Sequence, residues 1–169
     1  DSSCNAIDST PAGRAELLAM SPWARALGAP AIRIFDGGER GDGAELESIG
    51  PLFDWWHQQG AAPELLVETH DALSRPAALQ QFLELYRAIG ILWDTHHTWK
   101  EGQESPAVTC SRLRKRTRHL HVKDSVAGQG YVAPGRGEYP FDELIAALRQ
   151  SGFGGVISLE WERHWYPEL

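Results

Sequence analysis

Cysteine is scarce: Cys4 and Cys110 are the only two in 169 residues, far apart and with no CxxC pair. They support neither a disulfide framework nor a structural zinc site, and both are expected to be reduced thiols. Basic charge is also short, with 16 Lys+Arg against 23 Asp+Glu for a formal net charge of −7. Phosphate backbones and anionic lipid feel no overall attraction to such a chain, so neither nucleic acid nor a membrane is an expected partner. Long apolar runs are missing, and none approaches the roughly 18–20 residues of a membrane span. The opening DSSCNAIDST lacks the charged-then-apolar order of a secretory signal, which makes a cytoplasmic setting the expectation. Low-complexity tracts are absent as well. With 42% apolar residues one core can form, and a single domain over residues 1–169 is expected.

What is present is an alternation of β-branched apolar runs with helical-period segments, punctuated by Gly and Pro, which is the pattern of βα repeats. Five strands are expected, at Ala31–Phe35, Glu64–Glu68, Gly90–Asp94, Arg118–Lys123 and Gly155–Glu160. All read as buried parallel strands. Between them Leu46, Ile49, Leu52, Phe53 and Trp56 recur at helical spacing, as do Leu79, Phe82, Leu83, Tyr86 and Ile89, then Phe141, Leu144, Ile145 and Leu148. Each stripe can cover one face of a sheet. Gly60, Gly90 and Gly152 stand where left-handed C-terminal caps are expected, and Pro140 where a first helical turn begins. Residues 15–27 also read as helical, with Ser21-Pro22 expected to kink the helix or restart it. The segment Ser125–Tyr139, with four glycines and a proline, reads as a long irregular loop, either a surface connection or a lid over a ligand.

Four of the five strands end in acids or histidines: Glu68-Thr69-His70-Asp71, Asp94-Thr95-His96-His97, His119 to Asp124, and Glu160-Trp161-Glu162. Carboxylates at the ends of buried strands are costly unless they are paired or bind a metal. Glu68 and Asp94 are 26 residues apart, Asp94 and His121 27, and His121 and Glu160 39, each about one βα unit plus a loop. In a parallel barrel, groups so spaced converge on the C-terminal face. Three carboxylates and one imidazole meeting there suit one divalent cation, Mn2+, Mg2+ or Co2+ first, with Zn2+ also compatible.

Each neighbouring residue has a plain reading beside a functional one. His97, three positions past Asp94, is either a polar loop residue or aims into the same mouth. Arg33, a charge inside a buried strand, must meet an anion, from the protein or from a ligand. Lys123 and Asp124 either pair with each other at the strand end or reach the ligand. His70 and His96 stay open, and His119 shares a strand face with His121 one layer deeper, as support or core. Trp93, Trp99, Trp161 and Trp165 either stack on a sugar ring or pack in core and rim. The basic run from Arg112 to Arg118 reads as a solvated helix face before phosphate binding. Gly135-Arg136-Gly137 before a helix could hold a phosphate on backbone N–H groups.

The chained motifs IRIFDGG, LLVETHD, ILWDTHHTW, RHLHVKDS and GRGEYPFDELIAALRQSGFGGVISLEWER resemble the successive strand ends of the xylose isomerase-like barrels. That sugar phosphate isomerase/epimerase family also contains the type IV apurinic endonucleases. The resemblance implies an eight-stranded (β/α) TIM barrel with metal ligands Glu68, Asp94, His121 and Glu160, and His97 contacting substrate. If Ser2 and Ser3 end a third strand, two preceding βα units and a closing helix are missing from the barrel. An open edge beside that strand would then favour a homo-oligomer. The endonuclease branch resembles this chain less, because GQGYVAPGRGEYPF contains no histidine for a three-metal centre.

The reading that follows is a metal-dependent isomerase or epimerase of a small polyhydroxylated carbonyl compound. Glu68 and Glu160 would exchange the proton through an enediolate, His97 would orient a hydroxyl, and Arg33 or Lys123 would stabilise negative charge. The alternatives are a dehydratase of a cyclitol ketone on the same site and an inactive metal-binding barrel remnant. Cleavage of abasic DNA ranks last.

Overall fold

The computed structural model describes residues 1–60, 63–113 and 115–161. Glu162, Trp165 and Arg114 of the sequence argument lie outside the described residues. The elements in chain order are α1 (Pro11–Ala26), β1 (Ala31–Ile34), α2 (Gly43–Glu47), α3 (Gly50–Gln58), β2 (Glu64–Glu68), a 3-10 turn (Ala72–Ser74) and α4 (Pro76–Leu85). They continue with β3 (Gly90–Asp94), α5 (Thr95–Lys100), α6 (Pro106–Leu113), β4 (Thr117–Val122), the short β5 (Asp124–Val126) and β6 (Gly130–Val132), α7 (Phe141–Ser151) and β7 (Val156–Leu159). Strands β1-β2-β3-β4-β7 form one five-stranded sheet in which every pairing is parallel. This is an incomplete (β/α) barrel, and all five expected strands are in it. Among the described residues, no helix is long and apolar enough to cross a membrane.

Strand alternation divides the sheet chemically. Ile32, Ile34, Leu65, Val67, Ile91, Trp93 and Leu120 belong to the apolar core shared with Leu46, Leu52, Trp56, Leu79, Phe82 and Leu144 of the helices. The opposite face carries Arg33, Leu66, Glu68, Leu92, Asp94, His119 and His121, as the two-residue period of a strand requires. Register then stacks the polar set: Arg33 pairs with Leu66, Glu68 with Leu92, and Asp94 with His121. A shift between Ile91 and Leu92 brings Leu92 opposite His119 and so puts both histidines of β4 on the interior face.

Several local expectations need correction. Helix α1 runs unbroken through Pro22. Proline removes one backbone donor there, but Leu17, Ser21 and Ala24 are buried on one face, and this packing carries the helix across the missing bond. Gly90 is not a helix cap but the first residue of β3. A Cβ there would come within 2.6 Å of the Leu66 side chain, so the glycine permits close approach of β2 and β3. Gly152 does cap α7 in the left-handed conformation. The glycine-rich segment is not irregular throughout, since β5 and β6 pair antiparallel as a hairpin. The N-terminal segment lies alongside β1, in the place the expected third strand would take. Ser2 donates to Arg33, Phe35 donates to Cys4, and Asn5 bridges Phe35 in parallel, so residues 2–6 cover β1. At the other end of the sheet, among the described residues, β7 leaves Val156, Ile157 and Leu159 exposed.

Candidate metal centre

The ends of β2, β3, β4 and β7 bring Glu68, Asp94, His121 and Glu160 together. One ligand atom from each lies within 4.8 Å of the others, the single such group among the described residues. Glu68 and Asp94 are fully buried and His121 nearly so, while the Glu160 side chain keeps 24% exposure at the open side.

Local structure aims these groups. Asp94 caps α5, its Oδ1 accepting from the backbone N–H groups of His96 at 2.8 Å and His97 at 2.9 Å. Its backbone is fixed by Thr69, whose Oγ1 accepts from Asp94 N–H at 3.0 Å. With Oδ1 committed to the cap, Oδ2 is left to face Lys123 Nζ at 3.0 Å. Glu68 Oε1 accepts from His121 Nδ1 at 2.9 Å, and Glu68 Oε2 faces Arg33 Nε at 3.1 Å. His121 Nδ1 also lies 3.6 Å from Glu160 Oε1, so the imidazole stands between the two glutamates.

The three further candidates gather at the same place. Lys123 does not pair with Asp124. Its ammonium lies 2.5 Å from Glu160 Oε2 and donates to His97 Nε2 at 3.0 Å. Burial works against its charge, but Asp94 and Glu160 hold its pKa above the ordinary lysine value. Burial, and next the positive charge of Lys123, push the His97 pKa down to about 3, so His97 is a neutral ring. Its Nε2 lies 3.5 Å from Asp94 Oδ2. Arg33 meets a protein anion, Glu68, and also donates to the Ser2 carbonyl at 3.1 Å. A cavity of about 570 Å3 opens beside His97, lined also by His70, Asp71, Ser74 and Arg75.

The donor set fits a cation. Glu68 Oε2 and Asp94 Oδ2 are buried oxygens that make no well-aligned hydrogen bond, and each faces a positive charge instead. Among the described residues, Glu68, Asp94 and Glu160 face two side-chain cations, Arg33 and Lys123. A buried excess of negative charge is costly and is relieved by a bound ion.

Other candidates take structural places. Asp124 receives the backbone N–H groups of Ser125, Gly135, Gly137 and Tyr139 at 2.8–3.0 Å. The Gly135-Arg136-Gly137 donors therefore serve an internal carboxylate and not a phosphate. Trp93 is core, its Nε1 donating to Thr98 Oγ1 at 2.9 Å. Trp99 packs edge-on against Tyr139, and Trp161 is exposed. The basic run is not one helix face, because α6 ends at Leu113. Arg112 pairs with Glu104 at 2.6 Å and Arg116 donates to the Ile89 carbonyl. His119 is half-buried, its Nε2 within 2.7 Å of Ser158 Oγ and its ring 5.4 Å from that of His121.

Sequence reasoning did not single out Tyr131 as a neighbour of the centre, and it left His70 open. The hairpin carries the Tyr131 ring to 5.6 Å from Lys123 Nζ. His70, paired with Asp71 at 2.9 Å, places its ring 4.5 Å from that of His97, tilted by 58°. Their sole sequence signal was proximity to a strand end.

Comparison with known proteins agrees with this architecture. A family model described as xylose isomerase-like TIM barrel matches residues 5–169. A putative hydroxypyruvate isomerase of Streptomyces coelicolor is 29% identical, over 88% of this chain and 58% of its own length. Among solved structures, the probable 3-DHS dehydratase AsbF of Bacillus anthracis superposes with a TM-score of 0.74 at 19% identity, over 89% of this chain and 64% of that one. The zinc-bound IolI protein has a TM-score of 0.71 at 17% identity, over 96% and 66%. The chain thus spans somewhat under two thirds of the length of these relatives.

Proposed function

The chain belongs to the xylose isomerase-like TIM barrel family, and from that premise we propose that it serves a divalent-metal-dependent isomerase or epimerase of small polyhydroxylated carbonyl compounds, such as free or phosphorylated sugars. The observation that carries this reading is the approach of Glu68, Asp94, His121 and Glu160 to within 4.8 Å of one another. These four residues would hold the cation; the zinc of the IolI structure supports a single divalent ion in such a barrel. When bound, a divalent ion supplies electrostatic stabilisation of the negative charge that develops on a carbonyl oxygen as the neighbouring C–H is deprotonated.

The chain's own residues supply the rest. Glu68 and Glu160 flank His121 and are the candidate proton-transfer pair, one removing the proton and the other returning it. Return to the same carbon from the other side inverts it, and return to the neighbouring carbon isomerises it. Glu160, at the open side, is the more accessible of the two. Glu68 is held by Arg33 and His121 and has little freedom. The neutral His97 ring orients a substrate hydroxyl, and the cavity beside it, with its polar wall, takes the hydroxylated remainder of the substrate. Arg33 and Lys123 temper the negative charge of the enediolate.

Solvent proton exchange tests the assignment. In deuterated water, the loaded protein should introduce deuterium at the substrate's α-carbon, with hydroxypyruvate and ketohexoses as the first probes. Glu160→Gln should slow that uptake by about 10²–10⁴-fold. Undiminished uptake rejects the role of Glu160. Loss of water from the product in place of carbon inversion would assign dehydration to the same centre.

A further inference from the structure

Lys123 sits one residue beyond β4 and, by the two-residue strand period, points the same way as His121. Its side chain is 3% exposed, a rare degree of burial for a lysine. What compensates the burial is the centre itself: Nζ lies 3.0 Å from Asp94 Oδ2, 2.5 Å from Glu160 Oε2 and 3.0 Å from His97 Nε2. The ammonium therefore engages two of the three carboxylates that the proposed function assigns to a metal ion. The third, Glu68, is engaged by Arg33 and His121. A divalent ion and an ammonium cannot both have full use of the same oxygens at these distances, because like charges a few ångströms apart repel strongly in a buried site.

We propose that Lys123 is the centre's internal competitor for cations: its ammonium holds Asp94 and Glu160 together as a paired cluster, and a divalent ion binds by taking at least one of those oxygens from it. This rests on the reading of the four residues as a metal centre. Lys123 keeps other neighbours when it yields an oxygen, since His97 Nε2 accepts from it and the Tyr131 ring lies 5.6 Å away. The lysine thus sets the affinity of the centre. It spares the protein three converging carboxylates with too little positive charge, and it weakens the metal by the free energy needed to displace it.

Calorimetric titration with Mn2+ of wild type, Lys123→Met and Lys123→Arg tests this, with thermal unfolding measured before and after loading. Lys123→Met is expected to bind Mn2+ at least tenfold more tightly, to melt lower without metal, and to gain more on loading than wild type does. Lys123→Arg keeps the competing charge and is expected to bind no more tightly than wild type. A Lys123→Met protein that binds Mn2+ with equal or weaker affinity overturns the proposal. If that variant does not fold, the wild-type protein still decides. The 15N signal of the Lys123 ammonium is expected to shift on saturation with Zn2+, and an unmoved signal overturns the proposal. Failure of wild type to bind any divalent ion refutes the metal centre itself, whereas binding by wild type with no gain in Lys123→Met refutes only the competition.

Discussion

Asp94 and His97 are joined twice: the carboxylate Oδ1 caps the helix by accepting from His97 N–H at 2.9 Å, while Oδ2 lies 3.5 Å from the Nε2 of the same residue. A single side chain therefore starts α5 with one oxygen and supplies the centre with the other. The two uses separate by mutation. Asp94→Asn keeps a capping oxygen and removes the charge, and Asp94→Ala removes both. Both variants are expected to lose divalent-ion binding by at least about 100-fold, more than outer-shell changes cost. The alanine variant should be less stable than the asparagine variant by about 1 kcal/mol, the usual worth of an N-cap. Calorimetry and urea unfolding read the two effects, and equal stability of the two variants would contradict the dual use.

Asp124 anchors the strand-end loop through four backbone N–H groups. Asp124→Ala leaves those donors to water or unpaired, and it is expected to cost about 2–3 kcal/mol in urea unfolding. Hydrogen exchange should accelerate at Gly135, Gly137 and Tyr139 while the amides of β2 and β3 stay protected. An unchanged exchange pattern would contradict this role.

Asp36 is fully buried and accepts from the backbone N–H groups of Gly38, Ala72 and Leu73 at 2.9–3.0 Å. Burial outweighs those donors and pushes its pKa from 3.8 up to about 6. Between these values the folded state holds a proton that the unfolded chain has released. The stabilising contribution is therefore complete below pH 3.8 and is lost as the pH rises through about 6. Asp36→Asn does not titrate, so the stability difference between wild type and variant should favour wild type more at about pH 4 than at about pH 7. Urea unfolding at both pH values checks it, and a constant difference would contradict the shift.

The strand framework was legible because buried parallel strands are apolar runs and helices keep a 3.6-residue stripe. The expected Glu64–Glu68 and Gly90–Asp94 match β2 and β3, and the other strand limits differ by about one residue. The convergence of Glu68, Asp94, His121 and Glu160 was legible from their spacing. The sorting of acids was not. Asp36, Asp94 and Asp124 all stand at strand ends, and Asp36 and Asp124 spend their oxygens on backbone donors from distant segments, which no local pattern reveals. The hairpin was hidden for a related reason. Gly128 and Gly130 adopt positive φ, a conformation glycine permits in loops and turns alike. Lys123 pairing with Asp94 and Glu160 was likewise out of reach, because adjacency in sequence suggested Asp124.

The central claim is that four strand-end side chains hold one divalent ion. Anomalous diffraction from crystals soaked in Mn2+ or Zn2+ tests it most directly. The account predicts one strong peak with ligand atoms of Glu68, Asp94, His121 and Glu160 at about 2.0–2.3 Å. A saturating soak that leaves no peak there, with Lys123 and Arg33 still bound to the carboxylates, would contradict it.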